Sequence, residues 1–135
     1  PIPLSISLHA PEDSIRSSMM PVNKKWNIKA LLKACKEYQK VTTRRISFEY
    51  ALIEGVNDSE RCADELAKRL KGIMCHVNLI PLNDVKERAY TKSSKKAIDE
   101  FVRILEKHKI ARRTSKIIFF TISHTPFFQE YHKYS

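Results

Sequence analysis

Glycine is almost missing from this chain, with only Gly55 and Gly72 among 135 residues. A glycine-rich loop that cradles phosphate through main-chain amides is therefore excluded. The three cysteines, Cys35, Cys62 and Cys75, stand far apart, and without a CxxC or a short ligand spacing they carry no zinc or iron–sulfur signature. Their odd number and the lack of a secretory leader fit a reducing cytoplasm, where buried, inert thiols are the expected state of all three. No apolar run reaches the roughly 20 residues of a membrane-spanning helix, so no membrane association is expected. Neither paired carboxylates nor a Ser-His-Asp set stands out, no aromatic–basic ribonucleoprotein motif is present, and no internal repeat is evident.

Acidic residues are scarce as well: 15 Asp and Glu face 25 Lys and Arg, for a net charge of +10. Such an excess points to a polyanionic partner, nucleic acid first, while a merely solvated basic surface is the plainer reading of the same charge. The cations come in small clusters, among them Lys24-Lys25, Arg44-Arg45, Lys95-Lys96 and Arg112-Arg113. An apolar share of 42% is enough for a hydrophobic core. The length is that of one domain or a piece of a larger one, and a start at Pro1, directly before a strand, reads as a fragment.

Strand and helix patterns alternate along the chain. Strands are expected at residues 4–8, 45–53 and 75–81, and helices over 13–19, from Asn27 on through Tyr38, over 59–71 and over 94–107. Asn27 is placed as an N-cap, with Trp26 and Leu31 spaced for a hydrophobic staple. Apolar stripes of helical period run through Ile28, Leu31, Leu32 and Cys35, through Ala63, Leu66, Ala67 and Leu70, and through Ile98, Phe101, Val102 and Leu105. This alternation predicts an α/β fold, a parallel sheet covered by helices. The last stretch, "TSKIIFFTISHTPFFQEYHKYS", has room for one more strand at 116–122 and then loses all pattern.

In "SISLHAPEDSIRSSMMPVNKK" an alternating strand ends on Ser7, Leu8 and His9 and turns at once into a polar helix. Ligands of parallel α/β sheets bind beyond the carboxyl ends of the strands. The other strands exit through equally polar stretches, Glu54-Gly55-Val56-Asn57-Asp58 and the run from Asn78 to Asn83. Alternation also assigns faces: Leu4, Ile6, Phe48, Tyr50, Val77 and Leu79 belong on one, and Ser5, Ser7, Ser47, Glu49, His76 and Asn78 on the other. A face so polar is expected to line a cavity for a polar ligand, with His9 and Asn83 at its rim. A histidine or a strand carboxylate taken singly is more often structural.

Three stretches, "SISLHAPEDSIRSSMMPVNKKW", "ISFEYALIEGVNDS" and "CHVNLIPLN", together resemble the RlmN-type radical S-adenosylmethionine enzymes, in order and spacing, from about residue 3 through Arg112-Arg113-Thr114. The family's members are dual-specificity methyltransferases acting at adenine C2 of 23S rRNA and tRNA. The resemblance implies a six-stranded partial (βα) barrel of which residues 1–114 are the second half, with 115–135 a divergent tail. It further implies contacts to S-adenosylmethionine from Ser7, Leu8, His9 and Asn83, rRNA and tRNA as partners, and a cytoplasmic location. The family's [4Fe–4S] cluster motif, CxxxCxxC, does not occur in this chain. Its methyl-carrying cysteine has no counterpart after Thr114, and Cys75 lies in a different motif. The resemblance thus implies a stretch that turns nothing over by itself. A non-catalytic basic α/β RNA-binding module is the alternative.

Overall fold

The computed structural model describes residues 4–81 and 90–114. Along the chain run β1 (Ser5–Ser7), α1 (Asp13–Met19), a 3-10 turn (Pro21–Lys24), α2 (Ile28–Thr42), β2 (Ile46–Leu52), α3 (Glu60–Leu70), β3 (Cys75–Pro81), α4 (Lys95–Lys107) and β4 (Ala111–Thr114). The four strands form one parallel sheet in the order β1-β2-β3-β4. Neighbouring parallel strands need a crossover, and a helix supplies each one. The order never reverses and the crossover helices share one face, so the sheet is an arc of a (βα) barrel and not a doubly wound sheet.

Local chemistry starts each long helix. The side chains of Asn27, Ser59 and Ser94 accept the main-chain N–H groups of Ala30, Cys62 and Ala97 at 2.9, 3.1 and 3.1 Å. Each satisfies a donor that the first helical turn leaves without a partner. Thr43 ends α2 in the left-handed region at φ 53°, its N–H returning to the Gln39 carbonyl. Trp26, expected to staple onto α2, is left 58% exposed.

The apolar stripes then meet the apolar side of the sheet. Ile28, Leu32 and Cys35 of α2, Leu66 and Leu70 of α3, and Phe101 and Leu105 of α4 close over Ile46, Phe48, Tyr50, Val77 and Leu79. The Tyr50 and Phe101 rings lie 5.2 Å apart at 43°. All three cysteines are free and buried. Burial pushes the Cys35 thiol up and takes Cys75 to about 11, so both stay protonated and inert at neutral pH.

The expected elements recur within a residue or two, except that α2 runs on to Thr42, and β3 coincides with its expected bounds. β4 was not expected. Its sequence, ARRT, has no apolar alternation, and its register comes from β3, with His76 opposite Ala111 and Leu79 opposite Thr114. The strand expected at 116–122 lies outside the described residues.

Replacing Phe48, fully buried beneath the helices, by alanine should cost roughly 3–5 kcal/mol. Val41→Ala, at a position 85% exposed, should change stability by less than about 0.5 kcal/mol. Urea unfolding followed by circular dichroism measures both, and equal effects would contradict this placement of the core.

Candidate functional site

The face turned away from the helices is polar, and its residues stand in rows. Strand register aligns Ser5, Ser47, His76 and Ala111 in one row and Ser7, Glu49, Asn78 and Arg113 in the next. The Glu49 carboxylate accepts the Ser5 hydroxyl at 3.1 Å on one oxygen and the Asn78 amide N–H at 3.1 Å on the other. A carboxylate takes only a donor here, which fixes the orientation of the Asn78 amide. That turns the Asn78 Oδ1 atom to a place where it is buried and meets no donor among the described residues. Ser7, Glu49 and Asn78 are half-buried and outside the helix-covered core, on the face assigned from alternation.

Nearer the strand exits the same face becomes apolar. Ala51 and Ile80 pack with Ala10, Met19, Met20 and Ile53 in a second, smaller cluster. α1 and the turn after it thus fold over the exit end, which the sequence reading missed. The signals were present in the paired Met19-Met20 and in Ala51 and Ile80, which continue the polar rows as apolar positions.

Main-chain demands explain why β1 ends on Ser-Leu-His. The Leu8 and His9 N–H groups both reach the Glu49 carbonyl, at 3.0 and 3.2 Å, and the chain then turns off the sheet with His9 at φ 59°. The N–H of Ala51, on the neighbouring strand, is met by the His9 Nδ1 at 2.8 Å. An imidazole nitrogen thereby takes the place of a ladder carbonyl. Asn57, fully buried, ties the two exits together: its Nδ2 donates to the His9 and Ala51 carbonyls, both at 2.7 Å, and its Oδ1 accepts the Ile53 N–H at 2.8 Å. The Tyr50 hydroxyl donates to the Asn57 carbonyl at 2.6 Å. On the other side, the buried Arg16 donates from Nε to the Leu8 carbonyl and from Nη2 to the Ser7 carbonyl, both at 2.9 Å.

Of the site residues expected from sequence, Ser7 stands on the polar face beside Glu49. Leu8 points into the core, fully buried, with its main chain held by Glu49 and Arg16. His9, 3% exposed, serves the sheet exit through Nδ1. Asn83 lies outside the described residues. Arg16 was not singled out from sequence, and Asn57 was noted only as part of a polar strand exit, because a polar residue in a helix or loop carries no local mark of a buried partner. A separate cleft of about 520 Å³ opens at the opposite, strand-entry end, with Leu70, Ile73 and Ile110 in its lining and Lys68, Lys71, Lys107 and Lys109 around it.

The donor set discriminates between the two groups that the resemblance implies. Among the described residues no three His, Cys, Asp or Glu side chains gather as a metal site, and the three thiols lie under the helices, so these residues do not fit an iron–sulfur cluster. They do fit a small cationic ligand rich in hydrogen-bond donors, such as S-adenosylmethionine: the Asn78 oxygen, without a donor among the described residues, forms with the Glu49 carboxylate an acceptor pair on the polar face. No helix among the described residues is long and apolar enough to cross a membrane.

No family model matches the chain. Among curated proteins it is 54% identical over 109 residues to a probable dual-specificity RNA methyltransferase RlmN of Clostridium novyi, covering 81% of this chain and 32% of that protein. It is 51% identical over 110 residues to the protein of the same description from Alkaliphilus metalliredigens, covering 82% and 31%. The chain therefore spans about a third of the length of the curated relatives it matches. Among solved structures, a radical SAM methyltransferase from Sphaerobacter thermophilus superposes with a TM-score of 0.82 at 45% identity, over 84% of this chain and 33% of that one. A domain of pyruvate-formate lyase-activating enzyme from Bacteroides vulgatus gives 0.67 at 18% identity, over 83% and 66%, a likeness of fold alone.

Burial, with the Arg16 charge adding to it, lowers the His9 pKa from 6.5 to about 3. Above pH 6.5 both folded and unfolded chains hold this imidazole neutral and its stabilising contribution is complete. As the pH falls from 6.5 towards 3, the unfolded chain takes up a proton that the folded one refuses, and stability drops by up to about 1.4 kcal/mol per pH unit. Asparagine tolerates left-handed backbone and can present an acceptor to Ala51. Urea midpoints of the wild type and His9→Asn, measured from neutral pH to about pH 4, should differ in slope by close to one proton. Parallel curves would contradict the buried neutral imidazole.

Proposed function

We propose that the chain, similar over about a third of their length to RlmN-type radical S-adenosylmethionine methyltransferases, belongs to that family and forms one wall of the S-adenosylmethionine site in an RNA methyltransferase. The finer reading is methylation at adenine C2 of 23S rRNA and tRNA, in the cytoplasm, with residues 1–114 as the barrel part and 115–135 outside it. One observation carries the proposal: on the sheet face away from the crossover helices, one row inside the apolar exit cluster, an acceptor without a donor among the described residues lies beside a carboxylate. Ser7, Leu8, His9 and Asn83 are the proposed cofactor contacts. Ser7 offers its hydroxyl from the polar face. Leu8 sets that segment by anchoring its side chain in the core, and His9 holds the turn closed. Glu49 and Asn78 supply acceptors.

When bound, S-adenosylmethionine supplies the methyl group, and with a [4Fe–4S] cluster the radical chemistry of the family. This chain's part is to bind and orient, with the cluster ligands and the methyl-carrying cysteine supplied from other sequence. The basic surface, net +10, fits the RNA partner through phosphate contacts.

Titrating S-adenosylmethionine into the ¹⁵N-labelled chain should shift the amide signals of Ser7, His9, Asn78 and Asn83 ahead of those around Lys71 and Lys107. Shifts confined to the strand-entry end would sink the assignment. After anaerobic reconstitution the 135-residue chain should hold no stoichiometric iron and release no 5′-deoxyadenosine, since three scattered, buried thiols cannot hold a cluster. A bound cluster with turnover would contradict that reading.

A further inference from the structure

The loop between α1 and α2 presents the chain's single tryptophan to solvent. Trp26 is 58% and the nearby Val22 42% exposed, and Lys24 and Lys25 beside them are exposed too. The Lys25 Nζ lies 5.6 Å from the centroid of the indole ring.

This tip is held rigidly. Asn23, only 2% exposed, accepts from Arg16 Nη1 at 2.9 Å and donates to Ser17 Oγ at 2.9 Å and Asp13 Oδ1 at 3.1 Å. The same Asp13 oxygen accepts the Ile28 N–H at 2.9 Å, which fixes the far end of the loop. Lys25 and Trp26 both donate their N–H groups to the Val22 carbonyl, at 3.1 and 3.0 Å. A large aromatic ring on a braced tip cannot fold inward, and it exposes apolar area without benefit unless something covers it. Because Arg16 also holds the Ser7 and Leu8 carbonyls, the tip sits at the strand-exit end, the end of the candidate site.

We propose that the Val22–Trp26 tip is a contact for single-stranded RNA, in which Trp26 stacks on an unpaired base and Lys24 and Lys25 meet the flanking phosphates. The inference rests on the RNA reading above and extends it to a particular surface. Aromatic side chains beside lysines suit unpaired nucleotides, because stacking holds the base while the cations hold the backbone. An anionic membrane would attract the same charges, but one indole and one valine on a short turn offer far less apolar area than an interfacial helix.

Trp26 emission reports on its own contacts. Titrating the full chain with a labelled, unstructured oligoadenylate should quench that emission in step with the rise in anisotropy. Trp26→Ala should weaken binding about thirtyfold, the middle of the range for loss of one stacked base, and Trp26→Phe should retain most of the affinity. Lys24→Gln with Lys25→Gln should lower the slope of log affinity against log salt by about 1.4. Binding by anisotropy with unchanged emission and an unaffected Trp26→Ala variant would overturn the inference and leave the RNA reading standing. Absence of binding even at low salt would overturn both. An emission shift caused by phosphatidylserine vesicles, or by raising protein concentration, and not by RNA would reassign the tip and overturn the inference.

Discussion

When β1 leaves the sheet after Ser7, its last carbonyls and the Ala51 N–H of β2 need new partners within the protein, and the exit end is organised around meeting that need. Buried main-chain groups without partners are costly, at about 1–3 kcal/mol each. Arg16 covers the Ser7 and Leu8 carbonyls, His9 covers Ala51, and Asn57 covers the His9 and Ala51 carbonyls. Burial lowers the Arg16 pKa while the Asp13 charge opposes that shift. A guanidinium with several fixed donors is well suited to two neighbouring carbonyls and an amide oxygen, which a lysine could not meet in one plane.

This requirement links the two faces of the sheet. On the helix side the apolar residues close a continuous core, and Leu8 extends it up to the exit. On the other side Glu49 sits between Ser5 and Asn78, and its carbonyl receives both Leu8 and His9. The same residue therefore lines the polar face with its side chain and ends β1 with its main chain. The segment carrying Ser7 and His9 is held from below by packing and from the sides by hydrogen bonds, the rigidity that the proposed binding wall requires of its polar groups.

The buried network reaches outward as well as across. From Arg16 it passes to Asn23 and Asp13, and so to the start of α2. Asp13 gains from this: the Ile28 N–H, with help from Asn23, lowers its carboxyl pKa. α1 is only seven residues long and has no side-chain cap at its start. Its place is set by these contacts and by Met19 in the smaller apolar cluster, since so short a helix is marginal by itself.

Periodicity and capping are local, and the elements that depend on them were legible without a structure. The stripes of α2, α3 and α4, the Asn27 cap, the bounds of β3 and the separation of Ser5, Ser7, Glu49 and Asn78 from the apolar face all follow from neighbours a few residues apart. The resemblance to a methyltransferase family was legible for the same reason, since it lies in contiguous motifs. Only the tertiary structure decided the roles of Arg16 and Asn57, the folding of Met19 and Met20 over the exit, and β4, whose four residues take their register from β3. Asn57 meets His9 from 48 positions away, and His9 meets Ala51 from 42. A residue's pattern shows which face it belongs to, but a buried hydrogen bond depends on two distant stretches arriving together, and nothing in either stretch alone encodes that meeting.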